Sequence, residues 1–143
     1  MCIRDRWDAV SGRLSGPLRW VCPVPEVERL SFVSARGFEL VESWWHLDIE
    51  DGVSSADGAG AVVVVGAAAR LVPAPPVYEP GGPILFLTDV QEPDAALEEA
   101  VRTASALGSP VVVVSQPPGD DSLATKLEAH GFERHCDFLD GQV

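Results

Sequence analysis

His46 is the first residue whose type and neighbours suggest chemistry. It directly follows Trp44 and Trp45 and could serve as a base in an aromatic pocket. A catalytic histidine needs a partner that positions it, and the sequence does not identify one. A histidine beside core aromatics at a strand end also fits a structural role, so both interpretations stay open.

The cysteines raise a similar question. Cys22 precedes Pro23 and could be a nucleophile, but no histidine and aspartate partnership is visible for it, and a buried core cysteine is the alternative. The run His135-Cys136-Asp137 places three reactive side-chain types next to one another. Neighbouring side chains of a strand point to opposite faces of the sheet, so these three cannot converge on one substrate.

The cysteines and histidines do not form a metal-binding pattern. The chain has three of each, and the cysteines are widely spaced without a Cys-x-x-Cys pair. Because a structural zinc site needs four converging ligands, no metal site is predicted. An odd number of cysteines without a secretory signal predicts reduced thiols and a cytoplasmic protein.

Composition excludes several classes of partner. The chain of 143 residues is long enough for one domain or parts of two, and its 46% hydrophobic residues are sufficient for a core. A formal net charge of −12 repels nucleic-acid phosphates and anionic lipids, so neither nucleic acid nor membrane is expected as a partner. The longest apolar run, residues 59–69, is shorter than a membrane-spanning helix.

The first six residues, Met1–Arg6, match the translation of a transposase adapter used in sequencing libraries. We therefore interpret residues 1–6 as an artefact and expect them to pack against nothing. The same interpretation predicts that the authentic gene begins upstream. Val143 ends a strand-like segment without a closing turn, which predicts that sequence is missing at that end too.

Two parts of the chain show the same order of elements. In each, a strand-like run is followed by a helical pattern, then by a Gly-Phe-Glu triplet that opens a second strand. The triplets begin at Gly37 and Gly131, 94 residues apart, and glycine suits the left-handed position after a helix. We predict a duplication in which Phe38 and Phe132 are both buried. Chance remains the alternative, because both features are common.

The remaining segments complete a fold class. Residues 51–60 are rich in Gly, Ser and Asp and predict a linker, and residues 61–71 and 84–90 predict strands. A helix is predicted from a capping Asp94 to Leu107, stopped by Gly108. The order of elements predicts an α/β protein, bordering on α+β, with a mixed central sheet and helices packed on it.

From residue 61 to the end, this order and the segment Ser122–Glu133 resemble the second half of a GNAT acetyltransferase. The resemblance implies a GNAT-like domain at 61–143, the closing part of a first copy at 7–50, and hence a slice of a tandem GNAT protein. In that family the substrate lies beside the central strand, which implies Glu79 and Asp89 as substrate-binding residues. Solvated loop acids are the alternative for both.

Two departures from the family pattern bear on activity. The family grips the cofactor pyrophosphate with a glycine-rich loop, whereas residues 90–96 contain no glycine, arginine or lysine. Glu92 and Asp94 would instead repel the pyrophosphate. The family's tyrosine general acid is replaced by Leu127, which has no proton to donate. The catalytic and cofactor-binding residues are therefore unassigned, and no cofactor is expected for this chain.

Three functions remain open at this point. The chain is first expected to be a non-catalytic, degenerate GNAT-like domain whose partner is an active copy, either in the remainder of its own chain or in another protein. The second candidate is an active N-acyltransferase that uses acetyl-CoA. The third is a non-enzymatic module that binds a small ligand or a protein. The sequence determines neither the substrate nor the oligomeric state.

Overall fold

The computed structural model describes residues 7, 8, 12, 15–49, 60–73 and 82–142, which form two compact units. One unit holds the described residues up to Ser43 together with those from His135 onward, and the other runs from Trp44 to Arg134. The predicted artefact at 1–6, nearly all of the predicted linker and Glu79 lie outside the described residues. The division into 7–50 and 61–143 therefore stays a prediction.

Four elements are described in the first unit. They are β1 (Pro17–Pro23), α1 (Val27–Ser34), the first half of β2 (Glu39–Asp48) and most of β7 (Glu133–Gln142). β1 pairs with β7 in antiparallel register, from Pro17 opposite Gln142 to Pro23 opposite Cys136. The first and last strands of the described chain are therefore direct neighbours.

The core of the first unit lies between α1 and one face of these strands. Its buried members are Cys22, Val33, Phe38 and Leu139. The Phe38 ring packs directly against the backbone of β7. A Cβ atom added to Gly141 would lie 2.6 Å from this ring. Only glycine at this point of β7 leaves room for the phenylalanine.

The described residues of the second unit form five strands and two helices. They are the second half of β2, β3 (Gly60–Val64), β4 (Ala67–Val72), β5 (Ile84–Thr88), α2 (Pro93–Leu107), β6 (Val111–Gln116) and α3 (Asp121–Ala129). Its strands lie in the order β2-β6-β5-β4-β3. β3, β4 and β5 pair antiparallel, whereas β5 and β6 pair parallel. The predicted α/β class with a mixed sheet and packed helices is confirmed.

Alternation along the strands divides the second unit into two layers. Leu85, Leu87 and Val114 pack with the apolar faces of α2 and α3. The side chains between them, including Ile84 and Val113, point to the other face and pack with partly buried aromatics. Among the described residues, no helix is long and apolar enough to cross a membrane.

The predicted ends of the helices are partly wrong. Asp94 does not cap α2; the cap position is Glu92, Pro93 opens the helix, and Asp94 lies in its first turn. Asp120 caps α3, because its carboxylate accepts a hydrogen bond from the Leu123 N–H. Gly108 ends α2 in the left-handed conformation, as predicted.

The strands that follow the two Gly-Phe-Glu triplets have equivalent bounds. β7 spans Glu133–Gln142 and β2 spans Glu39–Asp48, so the two strands match at an offset of 94 residues. Each follows a glycine with positive φ and a phenylalanine, and both phenylalanines are buried, which confirms that part of the prediction. Ser43 donates a hydrogen bond of 2.7 Å to Asp137, the residue that the same offset pairs with it.

Each strand-helix-strand segment pairs its strands with those of the other segment. β1 pairs with β7, and β6 lies beside β2, where the Ile49 N–H donates to the Pro110 carbonyl at 2.9 Å. Among the described strands, β1 is not a neighbour of β2, and β6 is not a neighbour of β7. This reciprocal arrangement agrees with a duplication, which itself stays a prediction.

Candidate functional site

The candidate site is the loop between β5 and α2, where the resemblance would place the pyrophosphate grip. β5 ends at Thr88, and Asp89 turns the chain with a φ of 51°, a left-handed conformation that is uncommon outside glycine. Asp89 is exposed, and its carbonyl accepts a hydrogen bond of 3.5 Å from the Gln91 side chain. A tight turn at Asp89 thus connects β5 to the start of α2.

Two backbone donors of this loop are already used. The N–H groups of Gln91 and Glu92 both donate to the carbonyl of Gly66, at 2.7 and 3.4 Å. Gly66 lies in the turn between β3 and β4 with a φ of +84°, and a Cβ atom added to it would lie 3.0 Å from the Glu92 Cβ. The turn therefore packs directly against the loop, and the two amides point at a carbonyl of the protein itself.

A carboxylate occupies the first turn of α2. Asp94 accepts hydrogen bonds from Lys126 Nζ at 2.8 Å and from His130 Nε2 at 3.0 Å, both on the α3 side. The Lys126 hydrogen bond, followed by that of His130, holds the pKa of Asp94 below its usual range. The only lysine of the chain is thus committed to a carboxylate at the point where an anionic cofactor would need free positive charge.

The structure describes only some of the sequence-predicted site residues. Asp89 lies at the exposed end of β5, and Glu79 lies outside the described residues. His46 is buried on β2, with 9% of its surface exposed. Leu127, on α3, is fully buried in the core, where it only packs. Both substrate-binding assignments stay predictions.

The run His135-Cys136-Asp137 is embedded in β7. Asp137 faces Cys22 across the β1–β7 ladder, whereas Cys136 faces Pro23, so the adjacent side chains alternate between faces. Burial lowers the pKa of His135 and raises the pKa of the Cys136 thiol to about 12. Such a thiol stays protonated at neutral pH, which makes it a poor nucleophile.

The sequence interpretation missed a shallow pocket on β4 and β5. It is lined by Ala68, Ala69, Arg70, Phe86 and Thr88. The available signal was an arginine in the middle of a small, apolar strand, but its neighbour Phe86 becomes apparent only through strand pairing. Among the described residues, no group of three His, Cys, Asp or Glu side chains is placed to hold a metal ion.

Comparison with known proteins finds similarity among solved structures. No family model matches the chain, and no curated protein matches it. Among solved structures, it is similar to a GCN5-related N-acetyltransferase from Sphaerobacter thermophilus, with a TM-score of 0.46 and 10% sequence identity. The similarity covers 98% of this chain and 64% of that one, so the chain spans less than two thirds of the length of that protein.

Proposed function

We propose that this chain is a GNAT-like N-acetyltransferase-family domain without a cofactor grip of its own, which supports an active copy in the full-length protein. One observation carries the proposal: the Gly66 carbonyl accepts the N–H groups of Gln91 and Glu92. A pyrophosphate needs free backbone donors at this position. Here it would have to displace a hydrogen-bonded turn from the loop.

The electrostatics of the loop support the same proposal. Glu92 at the cap and Asp94 in the first turn present negative charge where the cofactor phosphates would lie. Two like charges about 4 Å apart repel by about 1 kcal/mol even in water, and by more in a partly desolvated cleft. The positive charge of Lys126, on α3, is already paired with Asp94.

The repeated strand-helix-strand units suggest what the partner is. A protein that carries two related halves can keep one active copy and use the other to complete its fold. We propose the remainder of the same chain, or another GNAT copy, as the partner, and the cytoplasm as its location. The free thiols of Cys22 and Cys136 agree with a reducing compartment.

The test is calorimetric titration of the whole 143-residue chain with acetyl-CoA. No saturable binding tighter than about 0.1 mM, or about 5 kcal/mol, is expected. A catalytically active GNAT enzyme titrated under the same conditions provides the positive control. Tighter saturable binding by the chain would contradict the proposal and favour an active acyltransferase.

Two double variants separate the possible reasons for the absence of binding. Glu92→Gln/Asp94→Asn removes two charges but leaves the Gly66 hydrogen bonds in place, so it is expected to remain without binding. Glu92→Gly/Asp94→Gly also removes the Glu92 side chain that packs on Gly66. Binding gained by the Gln/Asn variant would show that charge alone excludes the cofactor.

A further inference from the structure

We infer that the pocket on β4 and β5 is a binding site for a small organic carboxylate with an apolar body, held by Arg70. This site lies on strands rather than at the start of α2. The inference is independent of whether the chain binds acetyl-CoA.

Strand pairing builds the pocket. Arg70 on β4 lies directly opposite Phe86 on β5, and Ala68 lies opposite Thr88. Residues opposite each other in an antiparallel pair share a face, and alternate residues of one strand share it too. These four side chains therefore lie on the face turned away from α2 and α3, because Ala69 and Leu87 pack toward the helices.

Each side chain contributes a different property. Ala68 is small, so it leaves a concavity between the larger side chains of Arg70, Phe86 and Thr88 that also line the pocket. Phe86 is half-buried against Trp44, with ring centroids 5.2 Å apart, so its ring is held in place. Arg70 is exposed and supplies up to five N–H donors, and the Thr88 hydroxyl adds a further polar group.

The charge of Arg70 is not neutralised by the residues that the structure describes. Arg19, Arg29 and Lys126 each form an ion pair with a carboxylate, whereas Arg70, like Arg36 and Arg102, forms none within the described ranges. This is informative in a chain with a net charge of −12, in which acidic residues are abundant. A guanidinium beside an aromatic ring matches a ligand that carries both a carboxylate and an apolar part.

The same geometry disfavours other ligand classes. An amine would meet the positive charge of Arg70 at close range, which costs free energy without a compensating acid in the pocket lining. An inorganic anion would pair with Arg70 but would leave Phe86 without a contact. A ligand that satisfies both groups therefore binds better than either part alone.

Phenylacetate is a suitable probe because it combines a carboxylate with an aromatic ring. The experiment is a chemical-shift titration of the full ¹⁵N-labelled chain. Saturable shifts are expected at the amides of β4 and β5 around the pocket, with a dissociation constant of about 1 mM for so open a site. Phenylacetamide, which has the ring without the charge, and inorganic phosphate, which has charge without the ring, are each expected to bind about tenfold more weakly or worse.

Three variants test the role of Arg70. Arg70→Gln is expected to weaken phenylacetate binding about tenfold or more, because a charge-assisted hydrogen bond is lost. Arg102→Gln is the matched control: it removes the same charge from an exposed site on α2, and binding should not change. Ala68→Leu retains Arg70 but fills the concavity, so it should also abolish binding.

The outcomes are decisive in each direction. Binding that is lost in Arg70→Gln and Ala68→Leu, and unchanged in Arg102→Gln, supports the site. No saturable shift up to about 20 mM phenylacetate would overturn it. Equal weakening by Arg102→Gln, or equally tight binding of phenylacetamide, would overturn it as well. Unchanged thermal unfolding of each variant establishes that lost binding is not lost folding.

Discussion

At the scale of single residues, burial decides which reactive side chains can act. Cys22 and Cys136 are almost completely buried, and burial is the main cause that raises the pKa of each thiol. The nearby Asp137 raises both pKa values further, because negative charge disfavours a thiolate. These cysteines therefore behave as small core residues rather than nucleophiles.

This burial predicts the alkylation pattern. With iodoacetamide at pH 8, Cys22 and Cys136 should remain unmodified in the native chain, since the thiolate is the reacting species and the pKa of Cys136 is about 12. Peptide mass spectrometry reads out each site. The same sample in guanidinium chloride is the control and should be alkylated at both sites. Native alkylation of Cys136 at the denatured rate would contradict the burial argument.

A second feature at the scale of single residues is the pair of hydrogen bonds made by the buried Gln116 side chain. Its Oε1 accepts a hydrogen bond from Trp45 Nε1 at 2.7 Å, and its Nε2 donates to the Asp120 carbonyl at 2.8 Å. Both groups of the amide are thus satisfied, which a buried polar side chain requires. The hydrogen bonds tie β2, β6 and the start of α3 together.

At the scale of elements, each Gly-Phe junction has a conformational requirement. Gly37 has a φ of +83° and Gly131 a φ of +85°, values that residues with a Cβ atom rarely adopt. An added Cβ atom would meet nothing within 4 Å at Gly37, and only Leu47 Cδ1 at 3.8 Å at Gly131. The glycines are therefore needed for the backbone rather than for space.

Substitution by alanine tests this requirement. Gly37→Ala and Gly131→Ala should each lower the free energy of unfolding by about 1 kcal/mol, because the left-handed conformation is strained for alanine. Urea denaturation measures the loss. Gly60→Ala is the control, since Gly60 lacks a positive φ and has open space around it, so its stability should be unchanged or slightly higher. An unchanged free energy of unfolding in Gly131→Ala would contradict the conformational requirement at this junction.

At the scale of the whole molecule, the exchanged strand pairing makes the two strand-helix-strand segments interdependent. β1 and β2 are not neighbours in the described sheet, since β1 pairs with β7 and β2 lies beside β6. A fragment of residues 7–50 therefore holds two strands without their partners and the eight-residue helix α1. A helix of this length is marginal in water without tertiary packing.

Fragment complementation tests that interdependence. Residues 7–50 alone should show no cooperative unfolding by circular dichroism, and should gain structure when mixed with residues 61–143. Phe38→Ala in the short fragment should weaken the association strongly, by about 3–5 kcal/mol, because the ring packs against Gly141 of the other fragment. Cooperative folding of residues 7–50 alone would show that this segment folds independently of residues 61–143.

Local patterns allowed most elements to be predicted from sequence. The Val-rich runs predicted β3 and β6, although the single strand predicted at 61–71 is in fact two, β3 and β4, joined by a turn at Val65 and Gly66. Apolar spacing with Gly108 predicted α2 and its end. The Gly-Phe triplets predicted two buried phenylalanines. These features depend on residues within about one turn or one strand, so their physical cause lies in the local sequence.

Only the tertiary structure decided which distant residues meet. The pairing of β1 with β7, the Gly66 carbonyl on the loop before α2 and the placement of Arg70 opposite Phe86 all depend on strand register. Register is set by the packing of whole faces, and a shift of one residue would turn every side chain to the other face. The sequence alone therefore predicted that the loop lacks a phosphate grip, whereas the occupied amides and the Arg70 pocket emerged only from the fold.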